Sequence, residues 1–198
     1  MNVKRCSGIL SKCLILGAAG LVCTIAATSQ QRAIDTSRSK ITVHVSKSGI
    51  LSAAGHNHVV AAPISGGGVD TGAHQVELKV NAKALTVQDP GGSDKDRAEI
   101  QKTMLGPQVL DTEQYPEIAF RSTGAESAGA GAWKVQGSLT LHGQSHPVAV
   151  DVREANGNYT GSASFKQTEF GIKPVKVAGG TIRVKDEVRI EFEIYTAP

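Results

Sequence analysis

The chain has 198 residues, enough for one domain with a sizeable core. Its formal net charge is +3, but three of its 21 Lys and Arg residues, and none of its 18 Asp and Glu, fall in the first thirty positions. The remainder carries 18 basic and 18 acidic residues, a balance that argues against nucleic acid or an anionic membrane surface as a partner.

The N-terminus reads as a targeting segment. Lys4, Arg5 and Lys12 form a basic start, and Leu14 to Ala27 is an apolar run of signal-peptide length. It is shorter than the about 20 residues that a membrane-spanning helix needs. Small residues then offer cleavage after Ala26, Ala27 or Ser29. The expectation is a signal peptide over residues 1–29 and a periplasmic or secreted domain over 30–198, with no transmembrane segment in the mature chain. The rivals are an uncleaved anchor and lipidation at Cys23, where Val22 stands in place of a small residue. Cys6, Cys13 and Cys23 all lie in this leader, so the mature chain has no thiol for a disulfide, a metal or a nucleophile.

The mature chain reads as short strands in sequence. Ala33 to Ser46 holds a first strand, with Ile41, Val43 and Val45 alternating with Thr42 and His44. Gly55-His56-Asn57-His58-Val59-Val60 enters a second, and Pro63 with Gly66-Gly67-Gly68 closes it. His74 to Val80 is a third, with Val76, Leu78 and Val80 on one face. Gln88 to Pro116 is an insertion. Asp89 to Asp94 is turn-rich, Ser93 or Asp94 caps a short helix through Met104, and Gly106-Pro107 ends it. Ile100 and Met104 share the buried stripe of that helix, and Val109, Leu110 and Tyr115 are expected to pack. Strands resume at Glu117, and Gly124 to Gly131 reads as a small-residue loop.

The most regular stretch runs from Trp133 to Val152. Trp133, Val135, Leu139 and Leu141 alternate with polar residues, Gly143 turns the chain, and Val148, Val150 and Val152 alternate on the return. Asn156-Gly157 marks a type I′ hairpin turn. Tyr159 to Gln167 returns, Glu169 to Gly180 connects, and Glu187 to Thr196 is the last strand. About eight antiparallel strands with one helical insertion favour a closed barrel or a sandwich. An eight-stranded barrel is either filled by its own side chains or holds one small ligand.

His56 and His58 lie two apart on a strand, on one face, where two rings can share a metal or haem. The bland reading of this pair is two polar residues bonded to backbone at a strand end. His142 is expected to order the central turn and His146 to lie at the surface. Asp89, Asp94 and Asp96 match a calcium loop in composition only and read as a solvated loop. No nucleophile elbow and no phosphate-cradling loop is present.

Four segments carry a family resemblance. They are Ala33-Ile34-Asp35 with Ser39 and Ile41, Tyr115 to Ser122, Gly137 to Gly143 with Pro147-Val148, and Phe170-Gly171-Ile172 followed by Asp186-Glu187-Val188. Together, in this order, they resemble the YceI-like family of secreted bacterial proteins. The resemblance implies an extended lipocalin-like antiparallel β-barrel, with an apolar tunnel that binds a polyisoprenoid or another long-chain lipid and no catalysis or required cofactor. Alternation then nominates Val43, Val45, Val76, Leu78, Phe120, Leu139, Leu141, Val150, Ile190 and Phe192 as the lining, and a shift of one residue would turn a whole strand's set outward. The histidines at 56 and 58 depart from the family pattern and leave room for a quinone head group, a metal or haem. A homodimer through an exposed strand edge or the 88–116 insertion is compatible with the sequence but not required by it.

Overall fold

The computed structural model describes residues 31–48, 57–177 and 182–197. These form an all-β structure with one α-helix. The strands are β1 (Gln31–Ala33), β2 (Lys40–Ser48), β3 (His58–Ala61), β4 (Ile64–Asp70), β5 (Gln75–Asn81), β6 (Thr86–Val87), β7 (Glu117–Gly129), β8 (Ala132–Leu141), β9 (Gln144–Ala155), β10 (Asn158–Lys166), β11 (Lys176–Val177) and β12 (Ile182–Tyr195). The helix α1 spans Asp94–Leu105. All pairings are antiparallel within one sheet ordered β1-β4-β5-β7-β8-β9-β10-β12-β2-β3-β6, with β11 on β12.

The sheet curls into a half-barrel, and two links draw its flanks together. β3 runs through Ala62 and Pro63 into β4, and the Ala62 N–H donates to Ile41 O at 3.0 Å. Residues 33–35 reach the end of β12, where Asp35 N–H donates to Tyr195 O and Ala197 N–H to Ala33 O, both at 2.8 Å. The Ser39 hydroxyl, buried beside them, accepts from Tyr195 N–H at 2.9 Å. A side chain thus completes the ladder where the backbone leaves it.

The described residues contain twelve strands rather than about eight. β1, β6 and β11 are two or three residues long, too short to show a period. β3 and β4 come from one stretch in which Pro63 and three glycines read as an ending. The glycines are instead inside β4. A Cβ on Gly67 would sit 2.3 Å from the Glu77 carbonyl oxygen, so the close approach of β4 to β5 at a register shift requires glycine. Gly124 to Gly129 likewise belongs to β7, where small residues mark two bulges against β8 rather than a loop.

The insertion folds as its sequence suggests. Ser93 caps α1 by accepting from Asp96 N–H at 3.1 Å, with Asp94 and Asp96 in the first turn and Lys102 in the last. No residue of α1 is fully buried. Ile100, Met104 and Leu105 rest on the barrel core, and Leu110 is buried in it. The Gln101 amide binds the free side of β6 twice, accepting from Val87 N–H at 2.8 Å and donating to Leu85 O at 2.7 Å. One side chain therefore satisfies an open strand edge that would otherwise invite pairing.

Candidate functional site

Register decides what the half-barrel holds. Val135 faces Val150, Val150 faces Ala163, Ala163 faces Ile190, and Ile190 faces Val43. Phe120 lies opposite both Leu78 and Leu139. Directly paired residues share a face, so these side chains converge on the interior. They surround a cavity of about 350 Å³ whose lining is aliphatic and aromatic over most of its length. This is within the usual range for small-molecule pockets, roughly 300–1,000 Å³.

The interior is unevenly filled. At the α1 end Val60, Val80, Leu85, Leu110, Leu141, Val148, Phe170 and Ile172 are buried against one another. Further along, Ile41, Val43, Leu78, Phe120 and Val150 point inward yet stay half-buried. An inward apolar side chain that is not covered faces space, not core. All ten residues nominated from alternation, Val43, Val45, Val76, Leu78, Phe120, Leu139, Leu141, Val150, Ile190 and Phe192, line this cavity.

Two glycines shape the wall. A Cβ on Gly137 would lie 2.2 Å from Phe120 Cζ, and one on Gly161 would lie 2.5 Å from Phe192 Cζ. Each phenyl ring lies over a bare patch of its neighbouring strand. That accounts for glycines in the middle of two strands whose neighbours are well patterned.

The rim far from α1 is polar, and the apolar alternation did not mark it. Asp70 and Gln75 face each other across β4 and β5, and Tyr159 and Glu154 across β10 and β9. With Thr71, His74 and Trp133 they line the cavity's outer end. The His74 and Trp133 ring centroids are 4.9 Å apart. Asp70 also accepts from Gly72 and Ala73 N–H, which shapes the β4–β5 turn. Burial first, and then the Glu154 carboxylate, raise the Tyr159 phenol above its ordinary value of 10.0, with Arg32 pulling the other way. The available signal was the placement of Tyr159 and Trp133 at the start of apolar strand faces.

Near the opposite end, residues from three of the family-like segments meet one another. His142, at φ 52°, and Gly143 make the two-residue turn between β8 and β9. His142 Nδ1 lies 3.1 Å from Phe170 O, and its ring meets Tyr115 edge-on at 4.6 Å. Phe170 is completely buried. The short 3₁₀ turn Gln167–Phe170 is held to β12 by Thr168 N–H and Oγ1–H donating to Asp186 at 2.9 and 2.7 Å, and by Gln167 Nε2 donating to Lys185 O. His142 orders the turn as expected. His146 is not at the surface: it is half-buried and packs edge-on against Phe170 at 5.1 Å.

Of the suggested metal pair, His56 lies outside the described residues. His58 Nδ1 stands 2.6 Å from Asp89 Oδ2, and Asp89 Oδ1 accepts from Val59 N–H at 2.8 Å. Asp89 is 4% exposed, so it is a buried anchor between β3 and the insertion rather than part of a solvated loop. The carboxylate that pairs with His58 is thus one placed 31 residues away in sequence. Among the described residues no group of three or more His, Cys, Asp or Glu side chains is arranged to hold a metal. No helix among them is long and apolar enough to cross a membrane.

Comparison with known proteins agrees with this geometry. A UPF0312 protein of Shewanella baltica is 26% identical over 167 residues, covering 78% of this chain and 83% of its own. A UPF0312 protein of Shewanella oneidensis is 30% identical over 106 residues, covering 48% and 53%. The crystal structure of Burkholderia cenocepacia BcnA superposes with a TM-score of 0.59 at 19% identity, over 83% of this chain and 99% of that one. The family model described as the YceI-like domain matches residues 33–196, nearly all of the curled sheet and its insertion, and the chain therefore belongs to the YceI-like family.

Proposed function

We propose that this protein binds a polyisoprenoid or similar long-chain lipid in the half-barrel cavity, and carries or sequesters it in the periplasm without catalysing a reaction. The observation that supports it is the row of inward apolar side chains left half-buried around a cavity of about 350 Å³. A folded protein gains nothing by leaving Phe120, Val43 and Leu78 uncovered unless something else covers them. Hydrocarbon suits the lining. Burying about ten CH₂ groups at roughly 0.8 kcal/mol each supplies about 8 kcal/mol, the scale of a micromolar complex before ordering costs. The metal or haem alternative has less to rest on, because among the described residues no group of three or more His, Cys, Asp or Glu side chains is arranged to hold a metal.

Trp133 is the chain's single tryptophan and lines the cavity, so its emission reports on occupancy. Titration with a C20 polyprenol should shift Trp133 fluorescence to saturation at one ligand per chain. The same titration of Ala163→Phe, which fills the middle of the cavity, should require at least tenfold more ligand while circular dichroism stays unchanged. A wild-type signal that never saturates, or one that Ala163→Phe leaves intact, contradicts the assignment.

A further inference from the structure

A second cleft, of about 420 Å³, lies where residues 107–109 after α1, the β8–β9 turn at His142 and the 171–176 connection meet. We infer that it binds a small tetrahedral oxyanion that keeps one proton, with hydrogenphosphate the simplest case, through Lys173, Lys176 and His142 Nε2. This site goes beyond lipid binding and does not depend on it. Of its lining residues, Val109 and Ile172 alone also line the barrel cavity.

The first observation is positive charge without an answer. Lys173 and Lys176 line the cleft, and no Asp or Glu does. Among the described residues neither lysine side chain forms an ion pair or a hydrogen bond. Elsewhere on the sheet Lys79, Arg121 and Lys134 each reach a carboxylate. Segments 1–30, 49–56 and 178–181 contain no Asp or Glu, so they bring no carboxylate to these lysines. The acidic side chains nearest along the chain are engaged. Glu169 accepts from Lys166 N–H, and Asp186 accepts from Thr168. Asp111 does not line the cleft. Lys176 also stands opposite Arg183 across the β11–β12 pair, a like-charge neighbour whose repulsion an anion beside Lys176 would relieve.

The second observation is an acceptor set beside those cations. His142 Nδ1 lies 3.1 Å from Phe170 O. A carbonyl oxygen only accepts, so Nδ1 carries the proton and the Nε2 of the neutral ring keeps its lone pair. Among the described residues nothing donates to Nε2. The ring is held in place by Tyr115, which it meets edge-on at 4.6 Å. The Gln108 amide, which also lines the cleft, makes no hydrogen bond to a described residue and supplies a further donor.

Together these groups define the ligand. Two ammonium groups call for anionic oxygens. An imidazole lone pair calls for an O–H on the same molecule. Hydrogenphosphate offers both. Sulfate carries the charge and the shape but has no proton to give, so His142 Nε2 would meet one of its oxygens lone pair to lone pair. A phosphate monoester is in the same position once its second proton has gone, at a pH above about 6.

The test is a titration of the mature protein at pH 8 in phosphate-free buffer, with ionic strength held constant by chloride, followed by amide and imidazole NMR. The probes are inorganic phosphate, sulfate and glycerol 3-phosphate. Phosphate should shift the amides of residues 107–109, 142–144 and 171–176 to saturation at one site, and should move the His142 Nε2 resonance with them. Sulfate and glycerol 3-phosphate should each need at least tenfold more for the same occupancy, which separates free phosphate from an esterified phosphate such as a lipid head group. Lys173→Gln combined with Lys176→Gln should weaken phosphate at least tenfold. Both side chains are exposed and unbonded among the described residues, so this variant should fold like the parent. The inference is overturned if phosphate shifts do not saturate, if sulfate or glycerol 3-phosphate binds as tightly as phosphate, or if the double variant binds phosphate like wild type.

Discussion

At the scale of single residues, side chains replace missing backbone partners in several places. Asp89 is the sharpest case, because it receives both the His58 ring and the Val59 N–H while almost fully buried. Replacing it with Ala leaves two donors without an acceptor. We expect a loss of about 2–4 kcal/mol in urea denaturation, at roughly 1–3 kcal/mol for each stranded buried group. An unchanged midpoint would show that water satisfies both. Asp186 offers a different test. Hydrogen bonds from the Thr168 hydroxyl and N–H hold its carboxyl below its ordinary value of 3.8. A carboxyl with a lowered folded value contributes stability above the ordinary value and loses it as pH falls through the folded one. Asp186 is only half-buried, so solvent screening keeps the contribution small. The difference in stability between wild type and Asp186→Asn should therefore shrink as pH falls below 3.8, and a difference that does not vary with pH contradicts this coupling.

Among elements, the α1 insertion acts as the end wall of the cavity. Its own sequence is weakly amphipathic and it buries no residue completely, so it is held by few contacts. The Gln101 amide is one of the best defined, since it closes both free groups on the outer side of β6. Gln101→Leu keeps the volume and removes both bonds. We expect faster amide exchange over residues 86–105 than over β8 and β9, together with a global loss of about 1–3 kcal/mol. Uniform exchange across the sheet would place the stabilisation elsewhere. The glycines at 137 and 161 belong to the same scale. Ala at either position must push Phe120 or Phe192 off its strand, and it also meets a backbone carbonyl oxygen. Overpacking of this kind typically costs about 1–3 kcal/mol.

For the molecule as a whole, period-two alternation carried most of the information. It identified the inward faces of β2, β5, β8, β9 and β12, and those faces meet around one cavity because antiparallel register preserves them. What alternation could not show is anything set by distance in sequence. Asp89 reads as a loop residue until β3 is placed beside the insertion. His146 reads as exposed until the Gln167–Phe170 turn folds under it. Of the rim residues, Thr71 sits in a turn and Glu154 and Tyr159 at strand ends, where the period is too short to read, and only closure of the sheet puts them on one edge. The family-like residues Tyr115, His142, Gly143 and Phe170 turn out to stand together at the closed end. Their contacts tie the β8–β9 turn to the Gln167–Phe170 turn, a pairing that no local pattern in the sequence reveals.

The central claim is that the half-barrel is a container for a lipid rather than a self-filled core. Native mass spectrometry of the mature protein, exported in a bacterial host and purified without detergent or added metal, tests it most directly. The account predicts one added mass of several hundred daltons per chain, released by organic solvent and reduced in Ala163→Phe. If the exported protein carries only its own mass and gains none when C20 polyprenol is supplied, the account is contradicted.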